Sequence, residues 1–181
     1  MNNLIASLVE LLDPSTVLTG ADISEKYHAD WSGADPCQPL ALLKPKTTQQ
    51  LSEIMALCHQ HDQPVVIQGG LTGLAGGATP QSGEIAISLE RMNGIEELDA
   101  TAMTVTALAG TPLQVLQDAA EDRELFLPLD LGARGSCNIG GNVATNAGGT
   151  EVIRYGMTRS MVLGLEAVLA DGTVINAMNK M

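Results

Sequence analysis

Residues 132–149 read Gly-Ala-Arg-Gly-Ser-Cys-Asn-Ile-Gly-Gly-Asn-Val-Ala-Thr-Asn-Ala-Gly-Gly. Six of these eighteen residues are glycine and only Arg134 is charged, so the stretch can add little apolar surface to a core. Glycine loses more backbone entropy on folding than other residues, but it lets a ligand approach the backbone N–H groups closely. Because Ile139, Val143 and Ala147 alternate with the glycines, the pattern differs from a flexible linker. We interpret this downstream glycine-rich segment as a ligand site.

An upstream glycine-rich segment, residues 68–77, reads Gln-Gly-Gly-Leu-Thr-Gly-Leu-Ala-Gly-Gly and follows an apolar run at 64–67 that predicts a buried strand. A glycine-rich turn that leaves a strand presents successive N–H donors, which can hold phosphate oxygens. The segment has neither the Gly-Lys-Ser/Thr end of a P-loop nor the Gly-x-Gly-x-x-Gly of a dinucleotide fingerprint. Since residues 67–88 contain no Lys or Arg, we expect backbone dipoles and Thr72 to hold a phosphate there.

The two segments together resemble the FAD-linked oxidases of the vanillyl-alcohol oxidase type. Within that group the chain is most similar to the D-2-hydroxyacid dehydrogenases, the D-2-hydroxyglutarate and D-lactate enzymes. The resemblance is carried by residues 68–77, 128–149, 154–156 and 162–174. Upstream it reaches residues 44–48 and, more weakly, 27–31. It implies an α+β fold, a PCMH-type FAD-binding domain of two α/β subdomains, with FAD as the cofactor.

The resemblance also implies the residues that contact FAD. The upstream segment would hold the pyrophosphate through Gln68, Gly69, Gly70, Leu71, Thr72, Gly73, Leu74, Gly76 and Gly77. The downstream segment would line the ribityl chain and the isoalloxazine through Gly135, Ser136, Gly140, Gly141, Asn142, Thr145 and Gly149. Val174 would meet the adenine through its main chain. The resemblance assigns no catalytic residue and no metal ligand here, because the family's metal-binding histidines would lie beyond Met181.

Composition and charge narrow the class of protein. The chain has 181 residues, 45% of them hydrophobic, with one Phe, one Trp and two Tyr, so we expect an aliphatic core. The net charge of −12 argues against non-specific binding to nucleic acid or to anionic lipid. Three cysteines form no disulfide framework. The N-terminus has no basic region and no long apolar run, and no apolar stretch is long enough to span a membrane. We expect a cytoplasmic protein that is not transmembrane.

The hydrophobic pattern predicts a parallel α/β unit in the first half of the chain. An amphipathic helix near the N-terminus is expected to stop at Asp13-Pro14, and residues 13–37 look polar and irregular. Residues 40–43, 65–67 and 85–89 predict strands, and the Thr47-Thr-Gln-Gln capping box predicts a helix between the first two.

In the second half, residues 101–108 alternate like a half-exposed strand, and a helix is expected after Thr111 as N-cap and Pro112. Asp171-Gly172 predicts a two-residue hairpin turn. We divide the chain into an N-terminal extension (1–37), a first FAD-binding subdomain (38–97) and a second one (98–181). The resemblance implies that the antiparallel sheet of the second subdomain would continue beyond Met181, which could leave a face for another copy of the chain.

Several other side chains allow two interpretations. His59 and His61 look like a metal pair, but two residues apart on a helix they point about 200° from one another, which favours an exposed helix end. Cys137 could be redox-active, although no neighbouring His or Lys would lower its pKa, which favours a packed thiol. For Arg134 and Arg154, contact with an anion and a surface ion pair are equally compatible with the sequence.

The predicted function is that of the FAD-binding portion of an oxidoreductase that converts a D-2-hydroxy acid to the 2-oxo acid by hydride transfer to flavin N5. The chain has no histidine after His61 and no evident base in the downstream segment, so the fragment itself is expected to be inactive. The alternative is a stand-alone flavin-binding or assembly module that has no redox turnover. The particular hydroxy acid and the electron acceptor stay open.

Overall fold

The computed structural model describes residues 2–12 and 14–178 of the chain. The fold mixes helices and sheets, as the predicted α+β class requires. Its helices are α1 (Asn2–Leu11), α2 (Thr48–Gln60), α3 (Leu113–Glu121), α4 (Ile139–Ala144) and α5 (Val152–Tyr155). Its strands are β1 (Val17–Thr19), β2 (Ala41–Leu43), β3 (Val65–Gln68), β4 (Ile85–Ser88), β5 (Ile95–Asp99), β6 (Thr104–Ala107), β7 (Glu166–Val168) and β8 (Val174–Asn176).

A four-stranded sheet in the order β1-β2-β4-β3 forms the centre of the first half. Strands β2, β4 and β3 are parallel, which confirms the three strands predicted there, and β1 pairs antiparallel with β2. The sequence pattern missed β1 because it is only three residues long within an otherwise polar stretch. Leu8 and Ile54 of the two long helices pack on one face of the sheet against Ile87. A second cluster around Tyr27 covers the other face, so β2 and β4 are buried on both sides.

Helix α2 begins where the capping signal predicts. The Thr47 hydroxyl accepts a hydrogen bond from the Gln50 N–H at 3.2 Å. The Gln50 Oε1 atom accepts a hydrogen bond from the N–H of Lys46 at 2.8 Å. In the standard capping box the donor is the N–H of the next residue, the N-cap. Helix α1 ends at Leu11, and Asp13, which we expected to stop it, lies outside the described residues.

The second half begins with an antiparallel pair, β5 and β6. We expected a boundary between subdomains in this stretch, but residues 95–99 form a strand, so a division after residue 97 falls within β5. The division into subdomains stays a proposal. The predicted N-cap of α3 is wrong by one residue: Pro112 is the N-cap, and the Thr111 hydroxyl donates to the Leu108 carbonyl at 2.7 Å instead.

Strands β7 and β8 form a separate hairpin that packs against α2. The Ser52 hydroxyl donates to the Gly172 carbonyl at 2.5 Å. The predicted two-residue turn is wrong, because the Gly172 N–H donates to the Leu169 carbonyl and the Leu169 N–H to Thr173, which leaves a three-residue loop. Gly172 has φ +86°, as the last position of such a loop requires. Met181, where we expected the sheet to be interrupted, lies outside the described residues.

Among residues 2–12 and 14–178, the helices are too short or too polar for any of them to span a lipid bilayer.

Candidate cofactor-binding site

The two glycine-rich segments meet in one cleft beyond the carboxyl end of β3. In parallel sheets, ligands commonly bind outside the carboxyl ends of the strands. The upstream segment starts there, at Gln68, the last residue of β3. The cleft has a volume of about 240 Å³ and is lined by Lys26, Tyr27, Gly69, Gly70, Leu71, Glu90, Ser136 and Asn138. Residues of both segments predicted to bind FAD therefore share this cleft.

Gly70 allows the two segments to touch backbone to backbone. A Cβ atom on Gly70 would collide with the carbonyl oxygen of Ser136 and lie 2.9 Å from the Cα of Cys137. A Cβ atom on Gly140 would likewise lie 2.7 Å from the Cβ of Ala109, and one on Gly149 would collide with the carbonyl oxygen of Asp130. The close approach that the glycines permit at these positions is therefore to the chain itself.

The upstream segment also presents unpaired backbone donors. Within the described part of the chain, none of the N–H groups of residues 69–77 donates a hydrogen bond to a protein acceptor. A Cβ on Gly77 would meet nothing within 4 Å, so the backbone there is open to a ligand. Oxygens of a phosphate only accept hydrogen bonds, and a row of free N–H groups suits them. This arrangement fits the pyrophosphate of FAD.

Two side chains hold the ends of the upstream segment in place. The buried Gln68 amide donates from Nε2 to the carbonyls of Tyr27 and Ala78, both at 2.9 Å. The Asp30 carboxylate, with only 8% of the residue exposed, accepts from the Ala78 N–H at 3.2 Å and from the Thr79 hydroxyl at 3.1 Å. Burial raises the pKa of Asp30, but hydrogen bonds from Ser32, Ala78 and Thr79 outweigh it and the pKa lies below its usual 3.8.

A charged cluster that the sequence reasoning missed forms another wall of the cleft. Lys44, just after β2, donates to the Tyr27 hydroxyl at 2.7 Å and pairs with Glu90 at 2.8 Å. The Tyr27 hydroxyl donates its one hydrogen to the Glu90 carboxylate, whose two oxygens lie 2.8 and 2.9 Å away, and Lys26 lies 3.3 Å from one of these oxygens. Burial raises the pKa of Glu90, but the hydrogen bonds from Lys44 and Tyr27 and the two lysine charges lower it overall. The one feature of the sequence that could have pointed to this cluster is Lys44, a charged residue directly after a predicted strand.

The downstream segment contains a short helix, α4, for which the sequence pattern made no prediction. Asn142, expected to line the ribityl chain and the isoalloxazine, is buried, and its Oδ1 lies 3.6 Å from the thiol of Cys137. Burial raises the pKa of Cys137 despite the contact with Asn142, which fits a packed thiol. The Thr145 hydroxyl donates to the Gly141 carbonyl at 2.9 Å, within the helix end.

The structure separates some predicted residues from the cleft lining. Val174 lies in β8, half exposed, on the hairpin that packs against α2. The lining also does not include Thr72, Gly73, Leu74, Gly76, Gly77, Gly135, Gly140, Gly141, Asn142, Thr145 and Gly149, which lie elsewhere along the two segments. Their role in binding FAD stays a proposal.

The arginines and histidines with open interpretations lie at the surface or at helix ends. Arg134 pairs with Asp130 at 2.7 Å, and the Arg154 guanidinium lies 5.1 Å from the ring centre of Tyr155. His59 lies in the last turn of α2. The described residues contain no group of three or more His, Cys, Asp or Glu side chains placed to hold a metal ion.

Comparison with solved structures supports the fold. Alkyldihydroxyacetonephosphate synthase superposes with a TM-score of 0.88 at 18% identity, over 100% of this chain and 36% of that protein. p-Cresol methylhydroxylase superposes with a TM-score of 0.78 at 21% identity, over 96% of this chain and 34% of that protein. These superpositions show that the chain shares the fold of the corresponding part of both proteins.

Sequence comparison identifies the family. Residues 39–178 match the family model described as "FAD binding domain", so the chain belongs to this FAD-binding family, and the predicted fold and cofactor are confirmed. D-2-hydroxyglutarate dehydrogenase, mitochondrial, of Bos taurus is 43% identical over 96% of this chain and 32% of its own length. The D-2-hydroxyglutarate dehydrogenase of Xanthomonas citri pv. viticola is 42% identical over 86% of this chain and 33% of its own length. The chain spans about a third of the length of these relatives.

Proposed function

We propose that the chain holds FAD in the cleft between the two glycine-rich segments. The observation that carries this proposal is the row of free N–H groups in residues 69–77, next to a cleft whose other wall is the downstream segment. These N–H groups would bind the pyrophosphate oxygens, and Gly135, Ser136, Gly141 and Thr145 would contact the flavin half. Lys26 adds positive charge at the cleft in a chain whose net charge is −12.

We further propose that the bound FAD serves the oxidation of a D-2-hydroxy acid to the 2-oxo acid. Support comes from the relatives, which are named D-2-hydroxyglutarate dehydrogenases. FAD supplies a hydride acceptor in such a reaction, at flavin N5. The contribution of this chain is to bind the cofactor, fix its orientation and provide the cleft walls. A contact between copies of the chain and a cytoplasmic location remain predictions, and the electron acceptor stays open.

These 181 residues are not expected to turn over a hydroxy acid on their own. The oxidation needs a base near the substrate hydroxyl, ideally with a pKa near the working pH. Glu90 is the carboxylate at the cleft, and its lowered pKa and its bonds to Lys44 and Tyr27 make it a poor base. The three histidines, at positions 28, 59 and 61, do not line the cleft.

Two measurements test the proposal. Titration of the chain with FAD, followed by quenching of flavin fluorescence, should saturate at one FAD per chain, and a flat titration would exclude the cofactor role. Anaerobic mixing of the loaded chain with D-lactate or D-2-hydroxyglutarate should leave the flavin absorbance near 450 nm unchanged, while dithionite bleaches it. Rapid bleaching by either acid would contradict the expected inactivity and would identify a base among these residues.

A further inference from the structure

Asn138 holds an amide side chain in a fixed orientation at the junction of the two glycine-rich segments. It is 7% exposed, and its Nδ2 donates to the Gly110 carbonyl at 2.9 Å. A carbonyl oxygen can only accept, so the amide must place its nitrogen towards Gly110 and its oxygen on the other side. The direction of the acceptor, Oδ1, follows from this single bond.

The Oδ1 atom of Asn138 is buried and has no hydrogen-bond partner among the described residues. The position that a side chain on Gly69 would occupy lies 3.4 Å from it, and both residues line the 240 Å³ cleft. Four other buried side-chain atoms in the described part of the chain lack a partner: Thr16 Oγ1, His28 Nε2, Gln68 Oε1 and Arg91 Nη1. Asn138 is the one of the five that lines the cleft. An unpaired buried acceptor is unfavourable, so a donor supplied from outside the chain would stabilise this site.

We propose that Asn138 Oδ1 accepts a hydrogen bond from an O–H or N–H group of the bound FAD and thereby sets the position of the cofactor along the cleft. The proposal rests on the proposed function and adds a residue that the sequence reasoning did not assign. A phosphate oxygen cannot satisfy Oδ1, because both are acceptors. FAD carries donors on both sides of its pyrophosphate, in the ribityl hydroxyls and ring N–H of the flavin half and in the ribose and adenine of the other half.

The arrangement places two kinds of hydrogen-bonding group close together. Free N–H groups of residues 69–77 match acceptors, and Asn138 Oδ1, next to Gly69, matches a donor. A cofactor displaced along the cleft would put a phosphate oxygen against Oδ1 and lose affinity. Asn138 is therefore a specificity-determining residue for the cofactor rather than a catalytic residue.

The test compares Asn138→Ala with a matched control, Gln117→Ala. Gln117 also donates from its side-chain amide to a backbone carbonyl, that of Leu129 at 2.8 Å, but it does not line the cleft. Both variants lose one amide–carbonyl bond, and only Asn138→Ala loses the acceptor in the cleft. We expect Asn138→Ala to weaken FAD binding at least tenfold and Gln117→Ala to change it less than threefold, in fluorescence titrations of the whole chain.

A second variant separates the acceptor from the bond to Gly110. Asn138→Asp keeps the size of the side chain and an acceptor oxygen but loses the donor to Gly110, so we expect an FAD affinity between those of the unaltered chain and Asn138→Ala. If the bond to Gly110 were what matters, Asn138→Asp would bind no better than Asn138→Ala, and the proposal would be wrong. Loss of a cooperative thermal transition in both variants would likewise make Asn138 a structural residue.

Fragments of the cofactor identify the donor. If Asn138→Ala loses affinity for riboflavin but not for ADP, the donor lies in the flavin half. If it loses affinity for ADP but not for riboflavin, the donor lies in the adenosine half. Equal losses for riboflavin and ADP would indicate a general distortion and overturn the proposal, as would equal FAD affinities in Asn138→Ala and Gln117→Ala. If the unaltered chain binds no FAD, the proposed function itself fails, and that outcome is distinct from the other two.

Discussion

At the scale of single residues, glycines that look equivalent in the sequence have different structural roles. A side chain on Gly70 would collide with the backbone of Ser136, so this glycine is needed for the two segments to pack. A Cβ on Gly141, in α4, would meet nothing within 4 Å. The sequence suggests one role, ligand approach, for both residues. The structure shows that Gly70 is required for packing between the two segments, whereas the position of a side chain on Gly141 is open.

Alanine substitutions at these two glycines should therefore have opposite effects on stability. Gly70→Ala should lower the free energy of unfolding by about 1–3 kcal/mol or more, as expected for overpacking. Gly141→Ala should leave it unchanged or raise it by up to about 1 kcal/mol, because alanine favours a helix over glycine. If Gly141 contacts FAD, the added methyl group should weaken binding all the same. Urea unfolding and FAD titration of both variants check this, and unchanged FAD affinity in Gly141→Ala would remove Gly141 from the site.

At the scale of elements, the segment around residues 26–30 organises the upstream glycine-rich segment. It supplies the Tyr27 carbonyl to Gln68, the Asp30 carboxylate to Ala78 and Thr79, and the Tyr27 hydroxyl to the charged cluster. Through these bonds a loop that lacks regular hydrogen bonding of its own is held beyond the end of β3. The free N–H groups can then be oriented before a ligand arrives, which lowers the entropy cost of binding.

Removal of the Asp30 carboxylate should loosen the upstream segment. Asp30→Ala leaves the Ala78 N–H without its acceptor, so we expect amide hydrogen exchange in residues 71–79 to become faster and FAD affinity to fall. Asp35→Ala is the matched control, because Asp35 is an exposed carboxylate a few residues away. If amide hydrogen exchange in the upstream segment were equally slow in both variants, Asp30 would not be what holds this segment in place.

Element prediction from the sequence succeeded where the signal is local. The apolar runs of β2, β3 and β4 and the Thr47 cap of α2 each depend on neighbouring residues. The charged cluster was missed because its members, from Lys26 to Glu90, are distant in the sequence and meet only when the strands pair. The turn at Gly172 was predicted with the wrong length because Asp-Gly favours more than one hairpin geometry and the register of β7 and β8 selects between them.

The candidate site was predictable in composition but not in geometry. Both glycine-rich segments stand out in the sequence, and residues from each of them line the cleft. Which glycines pack against the chain and which stay open depends on distances across the fold, as Gly70 and Gly141 illustrate. The role of Asn138 depends on which atom of its amide is paired, and no sequence pattern carries that information.

At the scale of the whole molecule, two carboxylates make the fold sensitive to acid. The pKa values of Asp30 and Glu90 lie below their usual 3.8 and 4.5. A lowered pKa in the folded state means that the ionised form stabilises the fold, and this contribution is complete above the unfolded-state pKa. It is lost as the pH falls from about 4.5 through the lower pKa values of the folded state.

The free energy of unfolding should therefore decline steeply below about pH 4.5. Glu90→Gln should reduce the steepness of that decline, while Glu25→Gln, at an exposed position, should leave it unchanged. Urea unfolding at a series of pH values from 6 to 3 measures the slope. A Glu90→Gln slope equal to that of the unaltered chain would mean that the charged cluster contributes nothing to acid sensitivity.

The net charge also shapes how the chain meets its cofactor. With a charge of −12, the chain as a whole repels the anionic pyrophosphate of FAD, while Lys26 and Lys44 act only over a short range beside Glu90. Added salt shortens the Debye length from about 30 Å at 0.01 M to about 8 Å at 0.15 M. Salt should thus screen the distant acidic residues more than the lysines at the cleft.

FAD should consequently bind a few-fold faster and more tightly at 0.15 M salt than at 0.01 M. Riboflavin has no phosphate and is the control, since its affinity should not change with salt. Stopped-flow and equilibrium fluorescence measurements over this range give both quantities. Weaker FAD binding at the higher salt would show instead that the lysines at the cleft dominate over the net charge, and Lys26→Ala should then abolish much of the salt dependence. If neither FAD nor riboflavin binding changed with salt, the attraction by the lysines at the cleft and the repulsion by the net negative charge would cancel at the site.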